Sequence, residues 1–344
     1  MDPLLDVLNP AQREAVQAGE GPVLVLAGPG SGKTRVLTHR IAYLVGRLHI
    51  PSYRIMAMTF TNKAAREMKA RLEQLIGAAH LGDLTIGTFH SVCAWILRRE
   101  AAAAGLDPHF LIYDQDDQER LVKQALADLN FDDKQYRPSS VLNAISNAKN
   151  ELQGPGDIRP ANYRQEVVSR VFARYQVLLR DAHALDFDDL LLEVVRLFRE
   201  VPDVLQKYRR RYRAVLVDEF QDTNLAQFEI VRLLAEESRH VFVVGDEDQS
   251  IYSWRGADFR NVRRFQKEFP EGRTILLEQN YRSTQNILDA AQGVIRRNVE
   301  RTDKRLWTDA GAGEPILAYV ADDEHDEAAF VANEIDRLSD EHGV

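Results

Sequence analysis

Two short stretches carry residues whose types and spacing suit phosphate chemistry. The first is Ala27-Gly28-Pro29-Gly30-Ser31-Gly32-Lys33-Thr34, preceded by four branched apolar residues, Val23 to Leu26. Glycines let successive backbone N–H groups converge on phosphate oxygens, and a following helix adds the positive potential of its N-terminus. A lysine then caps the outer phosphates, and the Thr34 hydroxyl is placed to ligate Mg²⁺. The strict pattern has Gly where this chain has Ala27, a sterically small departure. The plain alternative is an ordinary glycine-rich turn, but the buried strand ahead of the loop favours a nucleoside triphosphate site. The second stretch is Leu216-Val217-Asp218-Glu219, a buried strand that delivers two carboxylates at its C-terminal end. Open α/β sheets bind ligands at that edge. With a phosphate loop upstream, Asp218 would hold Mg²⁺ and Glu219 would orient and deprotonate a water. A solvated acidic pair opening a loop is the alternative.

The elements that must position these groups alternate between strand and helix. Residues 1–20 read as a short helix capped at Asn9-Pro10, with Gln12 just inside it. Residues 35–46 look helical. Residues 55–60 have strand character, and residues 64–76 follow at helical spacing with Met68, Leu72, Leu75 and Ile76 on one face. Residues 84–88 make a third strand, ending in Phe89-His90-Ser91. This alternation predicts a parallel sheet. From about residue 108 to 184 no strand is expected. Residues 118–129 and 167–179 have amphipathic helical spacing, broken by Pro138, Gly154-Pro155-Gly156 and Pro160, so this stretch reads as an all-helical insertion. The alternation resumes at residues 214–217 and 241–244, which end in Asp218-Glu219 and Asp246-Glu247-Asp248. From Thr274 another unit is expected, with strands at residues 275–277 and 316–320 and a helix at residues 323–338. Two strands make a marginal sheet, so this last unit reads as the beginning of a domain.

Composition sets the outer bounds. A chain of 344 residues suggests two or three domains. The single cysteine, Cys93, excludes an internal disulfide and a thiolate zinc cluster. No apolar run reaches the roughly 20 residues of a membrane span, and the N-terminus lacks a signal-peptide core, so a reducing cytoplasm is expected. A formal net charge of −9 argues against a basic nucleic-acid coat protein but leaves room for a local binding channel. The basic run Lys207-Tyr208-Arg209-Arg210-Arg211-Tyr212-Arg213 sits before a buried strand and reads better as a solvated helix end.

The motif Asp218-Glu219-Phe220-Gln221-Asp222, together with the phosphate loop, resembles superfamily 1 helicases of the UvrD/PcrA/Rep type. Further motifs match in order: residues 59–65, Thr88-Phe89-His90-Ser91, residues 185–190, residues 244–258 (from Val244-Gly245-Asp246 to Gly256-Ala257-Asp258) and Gln279-Asn280-Tyr281-Arg282-Ser283-Thr284. The likeness covers essentially the whole chain. It implies an α/β, RecA-like P-loop NTPase domain with a parallel sheet over residues 1–107 and 185–273. A helical insertion would occupy residues 108–184, and residues 274–344 would begin a second RecA-like domain.

The resemblance also implies roles. ATP and Mg²⁺ would be the cofactors, with Ala27 to Thr34 cradling phosphates and Thr34 and Asp218 on the metal. Gln12 would read adenine, and Tyr281 would stack on it. Lys33, Glu219, Gln249 as the γ-phosphate reporter and Arg282 as arginine finger would be the catalytic set. An arginine finger is worth about 10³ to 10⁵ in rate; a structural arginine is the alternative. Phe60, His90, Phe187, Tyr252, Trp254 and Arg255 would hold single-stranded DNA by stacking and backbone contact. Core packing is the alternative for Phe60 and Trp254, and more so for Phe187.

The implied activity is an ATP-dependent DNA helicase or translocase, moving 3′-to-5′ on single-stranded DNA and unwinding duplexes in repair or replication. Its partners would be single strands, single–double-strand junctions and repair proteins, with no membrane, for a monomer or weak dimer. The segment from Asn298 to Trp307 is similar to the family's link between its two halves. Two other readings stay open: a helicase–nuclease subunit of the RecB/AddA kind, and a nucleotide-gated DNA-binding module without unwinding.

Overall fold

A computed structural model describes residues 2–252, 256–298 and 301–343. Strands β1 (Val23–Ala27), β2 (Ile55–Thr59) and β3 (Thr85–Thr88) lie in the first third of the chain. Two short strands follow, β4 (Leu111–Ile112) and β5 (Ala184–Leu185), and then β6 (Ala214–Val217), β7 (Val241–Gly245) and β8 (Arg273–Leu277). Six of them form one sheet in the order β3-β2-β6-β7-β1-β8, every neighbouring pair parallel. The continuous apolar runs follow from burial on both faces. Alternate residues serve two cores: Leu24, Leu26, Met56 and Val215 face one, while Val23, Val25, Ala57 and Leu216 face the other. Because all strands run the same way, their C-terminal ends share one edge.

The helices start where their capping residues put them. Asn9 and Gln12 form a reciprocal capping box on helix Pro10–Gln17. Thr61 and Thr88 cap helices Asn62–Ile76 and Phe89–Arg99, so each begins directly after its strand. On helix Asn62–Ile76, Met68 and Leu72 are buried, but Leu75 is exposed, a correction to the face expected for it. Ile76, in the same last turn, packs half-buried against the core.

The insertion is built on helices Gln115–Asp128, Pro138–Asn150 and Tyr163–Asp181, which enclose a separate core of Val122, Leu126, Ile145, Val171 and Phe172. Pro138 opens a helix instead of breaking one; it occupies the first helical position, where its missing N–H is not needed. The insertion is not free of strands either. β4 and β5 pair in parallel at its root, in register Leu111↔Ala184 and Ile112↔Leu185. Two residues are too few to show a period of two.

Two expectations about the last seventy residues fail. Residues 275–277, expected to open a second unit, lie in β8, which pairs with β1 from Val23↔Arg273 to Ala27↔Leu277. β1 has two edges, β7 takes one, and Ile275 and Leu277 bury into the first unit's core along the other. Residues 316–320 form no strand, and Leu317 and Val320 are exposed. Among the described residues they have no strand to pair with. The final helix, Glu324–His342, is present.

Candidate functional site

The loop after β1 leads into helix Lys33–Gly46, with Gly32 at its N-cap in the left-handed region (φ 90°). Gly30 is also left-handed, at φ 67°. A side chain there would also collide with Asn280 Nδ2 and Arg282 Cβ, each 2.8 Å from its added Cβ. Lys33 Nζ lies 3.2 Å from Glu219 Oε2, so the ends of β1 and β6 are joined by one ion pair. Asp218 is buried, with the Thr34 hydroxyl beside it. Burial, and then the Glu219 charge beside it, push its carboxyl up to about 6. Two carboxylates held together beside a hydroxyl make a donor set that suits a hard divalent cation. Glu219 itself adopts φ 49°, a conformation seldom populated by residues other than glycine and one that gathers at functional sites.

Gln221 ties this pair to the next strand. Its Nε2 donates to Glu219 Oε2 at 2.9 Å, and its Oε1 accepts from the Asp246 N–H after β7, also at 2.9 Å. Gln249, in the short helix Glu247–Gln249, donates from Nε2 to Asp246 Oδ2 at 2.6 Å. Sequence reasoning gave Gln221 no role, although it lies inside the quoted motif. Nor did it single out Asp222, which burial and Glu219 push up to about 6.

On the other flank of β1, the segment after β8 folds over the phosphate loop. Asn280 Nδ2 donates to the Pro29 carbonyl at 2.6 Å, and the Tyr281 N–H donates to the Gly30 carbonyl at 3.0 Å. Asn280 Oδ1 also accepts from the Arg282 N–H at 2.8 Å, which anchors the backbone of that residue. The Arg282 side chain is exposed and makes no ion pair among the described residues. Asn280 is the residue that fixes this segment, and no role was expected for it. Leu306 presses on Gly28, where an added Cβ would come within 2.3 Å of its Cδ2.

Gln12 and Tyr281 are brought to the same place by Asn9. Asn9 Nδ2 donates to the Tyr281 hydroxyl at 2.8 Å and to Gln279 Oε1 at 3.1 Å. Gln12 is buried, with Nε2 donating to the Ser31 carbonyl at 2.9 Å and Oε1 accepting from the Asn9 N–H. A carboxamide has two donors and two lone pairs, so one of each remains.

The residues expected to touch DNA fall into two pairs. Phe60, just after β2, stacks on Tyr252 with ring centroids 5.2 Å apart and planes at 25°. His90, just after β3, meets the ring edge of Phe187 at 5.9 Å. Phe187 is exposed, which removes the core-packing alternative for it. Burial holds the His90 imidazole below its usual range. Trp254 and Arg255 lie outside the described residues. The basic run belongs to helix Pro202–Arg211 and its end: Lys207 pairs with Glu100, Arg209 with Glu236 and Glu237, and Arg213 with Glu20. Tyr208 and Tyr212 are buried beneath it.

Comparison with known proteins bears on this arrangement. Residues 8–270 match the UvrD/REP helicase N-terminal domain, and residues 275–343 match the UvrD-like helicase C-terminal domain. The ATP-dependent DNA helicase PcrA of Leuconostoc citreum is 49% identical over 340 residues, which is 98% of this chain and 45% of that protein. The ATP-dependent DNA helicase UvrD1 of Mycobacterium tuberculosis is 52% identical over 352 residues, 98% of this chain and 46% of its own length. PcrA of Staphylococcus aureus is 49% identical over 337 residues, 97% of this chain and 46% of the relative. The chain thus spans about half the length of the curated relatives it matches. Among the described residues, no helix is long and apolar enough to cross a membrane. With a RecA-like parallel sheet, a phosphate loop after β1 and an Asp-Glu pair after β6, two places along the same sheet, the chain belongs to the UvrD-like helicase family.

Proposed function

We propose that this chain carries the ATP-hydrolysing and strand-gripping part of a DNA helicase that moves 3′-to-5′ on single-stranded DNA, in repair or replication. The observation that carries the hydrolytic part is the Lys33–Glu219 contact at 3.2 Å, with Asp218 and Thr34 beside it. Thr34 and Asp218 would hold Mg²⁺. Bound Mg²⁺-ATP supplies the phosphoryl group and neutralises charge on its oxygens. Lys33 would leave Glu219 for the outer phosphates, which frees the Glu219 carboxylate to take a proton from the attacking water. Gln221 would keep that carboxylate aimed, since its other end is fixed on the backbone after β7. Tyr281 and Gln12 would frame the base, and the exposed Arg282 side chain would reach the γ-phosphate. Polarity and pathway rest on the resemblance; the relatives' names support the helicase activity.

The test uses the full-length protein. Lys33→Ala abolishes turnover because the loop loses its one positive side chain. Glu219→Gln keeps nucleotide binding and stops hydrolysis, since it removes the base and preserves the shape. Wild-type steady-state turnover in Glu219→Gln would refute the assignment. Strand displacement from a 3′-tailed duplex but not a 5′-tailed one checks the direction.

A further inference from the structure

The three acidic residues after β7 are each met by the segment around residues 301–304. Lys304 Nζ lies 2.5 Å from Asp246 Oδ1 and 3.3 Å from Asp248 Oδ2. Arg301 pairs with Asp248 at 3.0 Å, and the Thr302 N–H donates to the Glu247 carboxylate. Lys304 and Asp246 are both almost wholly buried. Asp246 is therefore divided: one oxygen takes the ammonium, while the other accepts the Gln249 carboxamide at 2.6 Å.

We propose that Lys304 is a positioning residue that sets the carboxamide of Gln249 for reading the γ-phosphate, acting through the Asp246 carboxylate. The proposal rests on the reading of Gln249 as γ-phosphate reporter. A buried carboxylate stays ionised only when a cation and hydrogen bonds compensate it, and Lys304 is the buried cation in contact with it. An ionised carboxylate only accepts, so it faces the N–H end of Gln249 and fixes which way the amide is turned. The second N–H is then left for a phosphate oxygen. The same strap touches the phosphate loop, because Leu306, two residues on, is the side chain seated against Gly28. Asp246 also donates its N–H to Gln221, which donates to Glu219. Lys304 thus stands one residue behind the reporter, through Asp246, and two behind the base, through Asp246 and Gln221.

The experiment titrates this chain with Mg²⁺-ADP and with a non-hydrolysable Mg²⁺-ATP analogue, and reads the ratio of the two affinities. Gln249→Ala and Lys304→Met should each lower the triphosphate preference at least about fivefold. The double variant should lose no more than either single one, because both remove one interaction. Arg301→Ala loosens the same strap without touching Asp246 and should leave the ratio within about twofold. If Lys304→Met does not fold, Asp246→Asn keeps the shape without the charge and should lower the ratio likewise. Equal losses for both nucleotides in Lys304→Met, or a wild-type ratio in the Asp246→Asn variant, make Lys304 a strut and overturn the proposal. A drop in Gln249→Ala without one in Lys304→Met removes this proposal alone. An unchanged ratio in Gln249→Ala removes the γ-phosphate reading, and the proposal with it.

Discussion

Arg40 holds the C-terminal end of the helix that carries Gln12. Its guanidinium is buried and donates to the carbonyls of Val16, Ala18 and Gly19, at the end of the Gln12 helix, and to His240 Nε2 at 3.1 Å. A guanidinium cannot accept, so His240 must be neutral with Nε2 as acceptor. Burial, and then the Arg40 charge, push its imidazole down to about 4. Unfolded histidine binds its proton near pH 6.5, so between pH 6.5 and 4 the unfolded chain holds the extra proton and stability falls as pH falls. His240 should account for up to roughly 3 kcal/mol of that loss. Urea unfolding from pH 7 to 4 should show a flatter acid limb for His240→Gln than for wild type; parallel limbs would contradict it. That Lys33, Thr34, Asp218 and Glu219 come together was legible in the sequence, because the glycine-rich loop and the acidic pair each end a buried apolar strand. The meeting of Arg40 and His240 was not, since nothing local marks two residues 200 positions apart as partners.

At the level of elements, one buried charge fastens the insertion to the helix Phe187–Glu200. Lys149, at the end of helix Pro138–Asn150, lies 2.6 Å from Asp186 and 2.7 Å from Asp189. Asp186 caps helix Phe187–Glu200, and Tyr175 from a third helix donates to it at 2.8 Å. Removing one partner leaves uncompensated buried charge, which costs about 3–5 kcal/mol. Lys149→Met should lose that much in denaturant unfolding, and Lys149→Met with Asp186→Asn and Asp189→Asn should recover part of it. A loss below about 1 kcal/mol, the range of exposed pairs, would mean the cluster is not the fastening. The insertion helices were readable from their apolar period and their caps. β8 was misplaced because sequence order says which residues make a strand but not which strand lies beside it. β4 and β5 pair over two residues each, too short a stretch for any pattern.

Across the whole molecule, the charge balance and the aromatic pairs make opposite statements about how a strand is gripped. The net charge is −9, and three of the five cations in the most basic run, Lys207, Arg209 and Arg213, are paired with Glu100, Glu236, Glu237 and Glu20. Binding of single-stranded DNA should therefore lean on stacking. Phe60→Ala should weaken it by about 1–3 kcal/mol, alike for different base sequences and with the salt slope unchanged. Lys207→Gln with Arg209→Gln should leave both affinity and slope as they are. A slope reduced by about 0.7 per residue replaced would make that run a phosphate contact after all.

The order of strands in the sheet has a mechanical consequence. The phosphate loop, Gln249 and Tyr281-Arg282 follow β1, β7 and β8, while Phe60 and His90 follow β2 and β3 at the other end of the same edge. Adjacent strands are about 4.8 Å apart, so β1 and β2, three places apart in the order, are separated by roughly 15 Å of continuous hydrogen-bonded sheet. Such a sheet is a chassis: it would fix the proposed fuel port and track grip at a constant spacing, with no joint between them. Under the proposed function, a stroke along the strand would have to be generated against a second body, with this sheet as the frame it pushes on.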